Sequence, residues 1–326
     1  MTLHVTDQAG PAADFEAHRV HLRAVAYRML GSLSEADDAV QEAWLRLARS
    51  GTDDVQNLRG WLTTVVSRVC LDMLRSRAAR REDSLEVHVP DPVVTPVDDD
   101  PQEHALLADS VGMALLVVLD TLPPAERLAF VLHDIFAVPF DDIGRILDRT
   151  PAAAKQLASR ARRRLRGPAS PSAALLADAA AGDAPPGDAP TVVTPAAAAA
   201  ARADRARQRE VVIAFQSASR AGDFEALLAL LDPEVVLRAD AGTGPFGPSR
   251  LVRGAPAVVA QARRFAPLGR FGRLVLVNGT PGFLVAIDGR PFALLAITVQ
   301  QGKISEIDIL ADQDRLARLD LAGVLP

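Results

Sequence analysis

Residues Phe140 to Arg166 read FDDIGRILDRTPAAAKQLASRARRRLR, and this stretch decides the fold. Phe140 to Leu147 makes a short helix carrying Ile143, Ile146 and Leu147. Asp148-Arg149-Thr150-Pro151 then supplies a turn, an N-cap threonine and a proline at the first helical position. The following helix places Ala154, Leu157, Ala158, Ala161 and Leu165 on one face. Its other face carries Lys155, Gln156, Ser159, Arg160, Arg163 and Arg166, with Arg162 at the edge. A short helix, a tight turn and a helix that is apolar behind and basic in front describe a helix-turn-helix. Such a second helix enters the major groove, where Lys, Arg, Gln and Ser read base edges. The bland alternative is an ordinary surface helix enriched in arginine by coding bias. The cap, the turn and the two-faced helix together favour DNA binding. Upstream, Leu122-Pro123-Pro124-Ala125-Glu126 opens a further helix, with proline in its first turn and an acid close behind.

The whole chain sets the frame for that motif. A length of 326 residues predicts two or three domains, and 49% hydrophobic residues suffice for real cores. A net charge of −5 argues against a general polyanion binder. The basic residues are gathered, however, at Arg75, Arg77, Arg80 and Arg81 and again from Lys155 to Arg166. Two basic segments in an acidic chain indicate docking at chosen places. Cys70 is the only cysteine, so no intrachain disulfide forms and a reducing cytoplasm is expected. The start has no basic segment followed by an apolar run, and no stretch is apolar enough to span a bilayer. No membrane association is expected. The six histidines, at 4, 18, 21, 88, 104 and 133, lack metal-ligand spacing, so no metal and no cofactor are expected.

Five segments follow along the chain. Residues 9–82 form the first, with a helical pattern and little strand character from about Phe15 to Arg81. Residues 83–104, with Pro90, Pro92, Pro96, Pro101 and Asp98 to Asp100, read as an extended acidic linker. Residues 105–167 hold the helix-turn-helix, and 168–201 form a second linker rich in Ala, Pro and Gly, although its final Ala run also suits an extension of the next helix. Residues 202–326 open with two helical stretches, the second after Gly222-Asp223. Val/Leu/Ile-rich runs follow at Val235–Leu237, Leu274–Val277, Phe283–Ile287, Phe292–Val299 and Ile304–Leu310, with Asp288-Gly289 and Gln301-Gly302 as hairpin turns. The fold class is therefore multidomain: two all-α domains, the second a helix-turn-helix, then an α+β domain.

The first domain offers two surfaces. In Ala36 to Arg49, the residues Ala36, Val40, Ala43, Trp44 and Leu47 share one helical face. The opposite face holds Asp38, Gln41, Glu42, Leu45 and Arg46, so Leu45 is an exposed apolar group ringed by charge. A lone exposed leucine usually means nothing. Its ring of charge is how a small partner-binding patch looks. Next, Asn57-Leu58-Arg59-Gly60-Trp61 leads into a helix whose inner face is expected to be Trp61, Val65, Val69 and Met73. A separate stripe of Thr64, Arg68, Leu71 and Arg75 runs on into Arg77, Arg80 and Arg81. A charged stripe is most often a solvated face; continuity with a basic cluster favours phosphate contact.

In this order the segments resemble an extracytoplasmic-function sigma factor of the sigma-70 superfamily. The stretch Leu30-Gly31-Ser32-Leu33-Ser34-Glu35-Ala36-Asp37-Asp38-Ala39-Val40-Gln41-Glu42-Ala43-Trp44 is similar to the start of region 2, which in the family docks on the clamp of RNA polymerase. The resemblance thus implies polymerase binding by Asp38, Gln41, Glu42 and Leu45. Arg59-Gly60-Trp61-Leu62-Thr63-Thr64-Val65 through Leu71-Asp72-Met73-Leu74-Arg75 is similar to the part of region 2 that melts the −10 element. It implies −10 contacts by Arg59, Trp61, Thr64, Arg68, Arg75 and Arg77. Trp61 is the one aromatic there, and which residue holds an unstacked base stays open. Leu122 through Arg166 looks like region 4. Its last helix would read the −35 element through Lys155, Gln156, Ser159, Arg160, Arg162, Arg163 and Arg166. The implied function is to direct core RNA polymerase to promoter DNA.

From Arg202 on, the chain resembles SnoaL-like domains of the nuclear-transport-factor-two-like fold, a cone with an apolar pocket. A subset of these sigma factors carries such a tail, and the resemblance implies modulation in cis. That subset has a Trp-Leu-Pro-Glu-Pro-like motif in the first linker, approximated here by Val87-His88-Val89-Pro90-Asp91-Pro92 without the Trp. Its Asp-Gly-Gly-Gly-Lys motif is matched in part by Asp240-Ala241-Gly242-Thr243-Gly244, which marks Asp240, Gly242 and Gly244 as pocket or regulatory residues. A small apolar ligand suits such a pocket. Enzymatic use of the pocket would need an acid/base such as Asp240 or Asp308, since Asp288 is explained by its turn. The domain has no histidine to complete a dyad, so a regulator is expected rather than an enzyme. The competing readings are a stand-alone dimeric regulator and a pocket enzyme on a DNA-binding carrier. Neither gives the Asp38-Gln41-Glu42-Leu45 face a partner.

Overall fold

The computed structural model describes residues 11–50, 57–80, 87–97, 112–165, 195–242 and 248–325. Its helices are α1 (Pro11–Leu30), α2 (Leu33–Ser50), α3 (Leu58–Arg80), α4 (Met113–Asp120), α5 (Pro124–Phe130), α6 (Phe140–Leu147), α7 (Pro151–Leu165), α8 (Pro195–Ala221), α9 (Phe224–Leu230), α10 (Ala255–Phe265) and α11 (Gln313–Leu316). Its strands are β1 (Val94–Thr95), β2 (Leu231–Asp240), β3 (Arg250–Arg253), β4 (Gly272–Val277), β5 (Thr280–Ile287), β6 (Arg290–Gln300) and β7 (Lys303–Leu310). The chain divides into two compact units, one of residues 1–82 and 122–164, the other of residues 83–121 and 165–326.

In the helical unit, α1 packs against both α2 and α3. The face of α2 that periodicity marks as apolar is the buried one: Ala36, Val40, Ala43 and Leu47 are sealed, and Trp44 lies tilted against Phe15 at 5.1 Å between ring centres. On α3 the inner face is turned from the expected one. Leu62, Val66, Val69, Cys70, Leu71 and Leu74 are buried, whereas Trp61, Val65 and Met73 are only partly so. The reason is that α3 serves two neighbours, α1 and α2 on one side and α5 and α6 on the other. Its buried arc is wider than a single stripe.

The helix-turn-helix forms as its residues dictate. Asp148 takes the left-handed conformation (φ 53°) after α6, and Arg149 N–H donates back to Gly144 C=O at 2.9 Å. A Cβ on Gly144 would lie 2.8 Å from the Arg149 carbonyl oxygen, so the turn closes only over glycine. Thr150 Oγ1 accepts from Ala153 N–H at 3.2 Å, capping α7. Ala154, Leu157, Ala158, Ala161 and Leu165 are all buried, as their spacing predicts. Between α5 and α6 the chain makes a five-residue π turn, Val131–Ile135.

The second unit is built on a seven-stranded sheet ordered β1-β4-β5-β6-β7-β2-β3, antiparallel except where β2 runs parallel to β7. Two-residue turns at Asn278-Gly279, Asp288-Gly289 and Gln301-Gly302, all at positive φ, join β4 through β7. One sheet face, with Leu237, Phe283, Ile297 and Ile307, packs against α8, α9 and α10. Helix α10 corrects the expected order of two helices followed only by strands. The other face, with Val275, Val277, Leu284, Leu294, Ala296 and Leu310, is covered by Val89, Val94, Met113, Val117, Leu316, Leu321 and Val324.

That cover changes the expected partition of the chain. The described part of the acidic linker is not a spacer, because Val94 and Thr95 pair with Val277 and Leu276 as β1. Helix α4, expected within the helix-turn-helix domain, joins the same apolar cluster. The cause is burial: the valines at 89 and 94 carry apolar surface that the exposed sheet face can take up. At the other boundary, the Ala run continues into α8.

Candidate polymerase and promoter interfaces

The outer face of α2 is as its pattern implies. Asp38 and Gln41 are exposed, and Leu45 keeps 46% of its surface open. Glu42 is half-buried and holds Arg46 at 2.9 Å. The packed side of α2 fixes these four groups on a rigid helix, which makes them a preformed patch.

The six residues expected at the −10 element fall into three situations. Arg59 is exposed with one terminal nitrogen 3.4 Å from His21 Nδ1, and Arg75 is exposed beside Asp72 at 3.7 Å. Burial, helped by the Arg59 charge, pushes the His21 imidazole down to about 4. Trp61 and Thr64 are half-buried, and Thr64 Oγ1 donates to Gly60 C=O at 2.9 Å. Arg68 and Arg77 are engaged within the unit. Arg68 donates to Arg145 C=O at 2.8 Å and lies 3.9 Å from Asp148. Arg77 donates to Leu30 C=O at 3.0 Å and pairs with Glu35.

On α7, Lys155, Gln156, Ser159 and Arg163 are exposed on the outer face. Arg160 pairs with Glu126 at 3.2 Å, and Arg162 with Asp134 at 2.7 Å. Sequence reasoning did not anticipate these two acids, which tie the basic face and edge of α7 to α5 and the π turn. Arg166 lies outside the described residues. Fully buried Arg127 donates to Arg28 C=O at 3.3 Å and fastens α5 to α1.

In the second unit, Asp240 does not line the cavity on the helix side of the sheet. Its neighbours Ala239 and Ala241 do, and the alternation of a strand turns Asp240 to the opposite face. There its Oδ2 accepts from Val89 N–H at 3.1 Å and from Arg315 at 2.7 Å, with His88 at 3.3 Å. Burial alone would raise this carboxyl. The His88 and Val89 hydrogen bonds and the Arg315 charge outweigh it and hold the group down at about 2. Arg315 also pairs with Asp91. Gly242 has φ 53°, and a Cβ there would lie 2.7 Å from Asp312 Cγ, so glycine is required. Gly244 lies outside the described residues. Asp308 faces neither cavity nor solvent: Arg238 reaches it at 3.1 Å and Glu306 at 2.8 Å, with all three buried. Among the described residues no group of three His, Cys, Asp or Glu is placed to hold a metal, and no helix is long and apolar enough to cross a membrane.

A helix-turn-helix with a basic outer face, beside a three-helix bundle that exposes Leu45 among polar groups, is the architecture of a promoter-recognition subunit. Residues 15–80 match Sigma-70 region 2 and residues 112–165 match Sigma-70 region 4. The chain belongs to the extracytoplasmic-function RNA polymerase sigma factors. It is 40% identical to the ECF RNA polymerase sigma factor SigJ of Mycobacterium tuberculosis, over 93% of this chain and 92% of that one. It is 33% identical to the probable ECF sigma factor SigI of the same organism, over 96% and 97%. The crystal structure of M. tuberculosis SigJ superposes with a TM-score of 0.69 at 34% identity, covering 95% of this chain and 99% of that one. The protein is thus a sigma factor that directs RNA polymerase in transcription initiation, with core polymerase and promoter DNA as partners. Its C-terminal sheet domain fits the SnoaL-like fold. Region 4 by sequence begins at residue 112, so α4 belongs to it although α4 packs on the C-terminal sheet.

Proposed function

We propose that this sigma factor is controlled in cis by its C-terminal domain, which grips the connector between regions 2 and 4. The carrying observation is the clamp of Asp240 and Arg315 on Val89 and Asp91, continued by the pairing of β1 with β4. A connector so held limits how far region 4 moves from region 2. In this reading Asp38, Gln41, Glu42 and Leu45 dock on polymerase. Arg59, Trp61, Thr64, Arg68, Arg75 and Arg77 serve the −10 element, and Lys155, Gln156, Ser159, Arg160, Arg162, Arg163 and Arg166 the −35 element. The domains act as 9–82 for region 2, 105–167 for region 4 and 202–326 for regulation. The protein acts in the cytoplasm and is a regulator rather than an enzyme; the engagement of Asp240 and Asp308 by arginines, away from the cavity, supports this. The cavity itself suits a small apolar ligand.

The test is transcription from a cognate promoter by core polymerase, comparing the full chain with its Arg315→Gln variant. Arg315→Gln loses charge-assisted contacts to both Asp240 and Asp91, about 1.5 kcal/mol or more, which shifts a two-state equilibrium about tenfold or more, so output should rise on that order. Equal output from both chains would remove control through the connector and leave the sigma role intact.

A further inference from the structure

The helix side of the C-terminal sheet does not close. Between the sheet and α8 and α10 lies a cavity of about 150 Å³. Four positions lining it from the sheet side are alanine: Ala239, Ala241, Ala293 and Ala311. Strands disfavour alanine at Ala239 and Ala293, Ala241 and Ala311 lie one residue past the ends of β2 and β7, and larger side chains at any of the four would fill the space. Phe265 of α10 lines the cavity and still keeps 37% of its surface exposed, which places an aromatic ring where the cavity meets solvent. Arg250 is the one charged side chain among the described lining residues. It sits on β3 in register with Ala239, on the cavity side of the sheet. A guanidinium has five donors, so it can serve a ligand carboxylate beside its protein contacts. Apolar cavities of roughly this volume admit a single-ring molecule.

We propose that this cavity is a receptor site for a ring-sized apolar carboxylic acid, with the ring among the alanines and the carboxylate at Arg250, and that filling it tightens the hold on the connector. The coupling element is the end of β2. Ala239 and Ala241 line the cavity, and Asp240 between them holds Val89 N–H on the other face at 3.1 Å. Ala311, also lining the cavity, donates its N–H to Asp240 C=O at 2.7 Å. A ligand that orders residues 239–241 therefore orders the carboxylate that grips the connector. The coupling rests on the control in cis proposed above; the binding does not.

Phenylacetate, benzoate and cyclohexanecarboxylate, titrated calorimetrically into the full chain, test the site. Binding of at least one is expected. Ala293→Leu, which fills the cavity, should abolish it without lowering the melting temperature. Arg250→Gln should weaken the same acid by about tenfold or more, the loss expected of a charge-assisted contact, while leaving toluene binding unchanged. The saturating acid should also slow hydrogen exchange at the Val89 amide. No binding of any of the three acids overturns the site, as does undiminished binding by Ala293→Leu. Binding with unchanged exchange at Val89 overturns the coupling. Failure of control in cis would show as equal transcription by Arg315→Gln and would leave the calorimetry untouched.

Discussion

Asp240 and Asp308 stand on one face of one sheet and are driven in opposite directions. Asp240 collects a backbone N–H, a histidine and Arg315, and stays ionised down to about 2. Asp308 is fully buried and shares Arg238 with Glu306, and its Oδ2 has no hydrogen-bond partner among the described residues. Burial raises it most; Arg238 pulls it back, Glu306 pushes it further, and the result is about 7. One arginine does not offset two buried carboxylates. The signs differ accordingly. Asp240 adds stability that is present above the ordinary carboxylate range and is lost as pH falls through it towards about 2. For Asp308 the folded state binds a proton that the unfolded chain has already released, so stability falls as pH rises from the ordinary carboxylate range towards about 7. Urea unfolding of the C-terminal unit should therefore show declining stability across that interval, at most about 1.4 kcal/mol per pH unit for one proton. Asp308→Asn should flatten the decline. An identical slope in the variant would mean that another group takes up the proton.

At the scale of elements, the connector is a strand because a turn elsewhere makes room for it. Asn278 holds φ 50° in the two-residue turn between β4 and β5, and its Oδ1 accepts from Val93 N–H at 2.7 Å in a buried setting. Asn278→Gly keeps the turn conformation and removes only the amide, leaving Val93 N–H buried without that acceptor at a cost of about 1–3 kcal/mol. Exchange at the Val93 amide should rise by one to two orders of magnitude, on the order of that energy. An unchanged rate would show that the strand is held without this bond. This element also marks how far sequence reading reached. The helix-turn-helix was legible because cap, turn and apolar face all lie within Phe140 to Leu165, where local chemistry decides. The hairpins at Asp288-Gly289 and Gln301-Gly302 were legible for the same reason. Asn278-Gly279 carried the same signal and was passed over. Two-residue β1 among prolines has no periodicity to read, and α10 is a short Ala-rich helix set between strand runs, where the strand pattern on either side masked it. The clamp of Arg315 on Asp91 joins residues 224 positions apart, and no local pattern announces such a pair. The α3 stripe was misread because a helix with packing partners on two sides has no single face.

For the whole molecule, distance is the deciding quantity. Region 2 and the part of region 4 from residue 122 on form one compact unit, with α3 against α5 and α6 and with Arg68 donating to the Arg145 carbonyl near the helix-turn-helix turn. A body of this many residues has a radius of gyration of about 14 Å and is roughly 40 Å across. The −10 and −35 elements, by contrast, are about 25 base pairs apart, or roughly 85 Å along B-form DNA at 3.4 Å per pair. With the −10 and −35 assignments proposed above, the closed unit cannot place both regions on their elements at once. Opening must separate α3 from α5 and α6, and it releases Arg68 for the strand it is expected to contact. The bonds that resist opening include a buried one, from Arg127 to the Arg28 carbonyl, beside surface contacts such as those of Arg68. Exposed ion pairs such as Arg68 with Asp148 contribute little, about 0–1 kcal/mol, and polymerase binding, proposed above to use the α2 face, would have to offset the rest. Spin labels on exposed Ala48 of α2 and exposed Ala152 of α7 would report the change. The free chain should give one short, narrow distance, and the complex with core polymerase and promoter should lengthen it by tens of ångströms. If transcription-competent complexes kept the short distance, regions 2 and 4 would have to work as a closed unit, and either the −10 or the −35 assignment would fall.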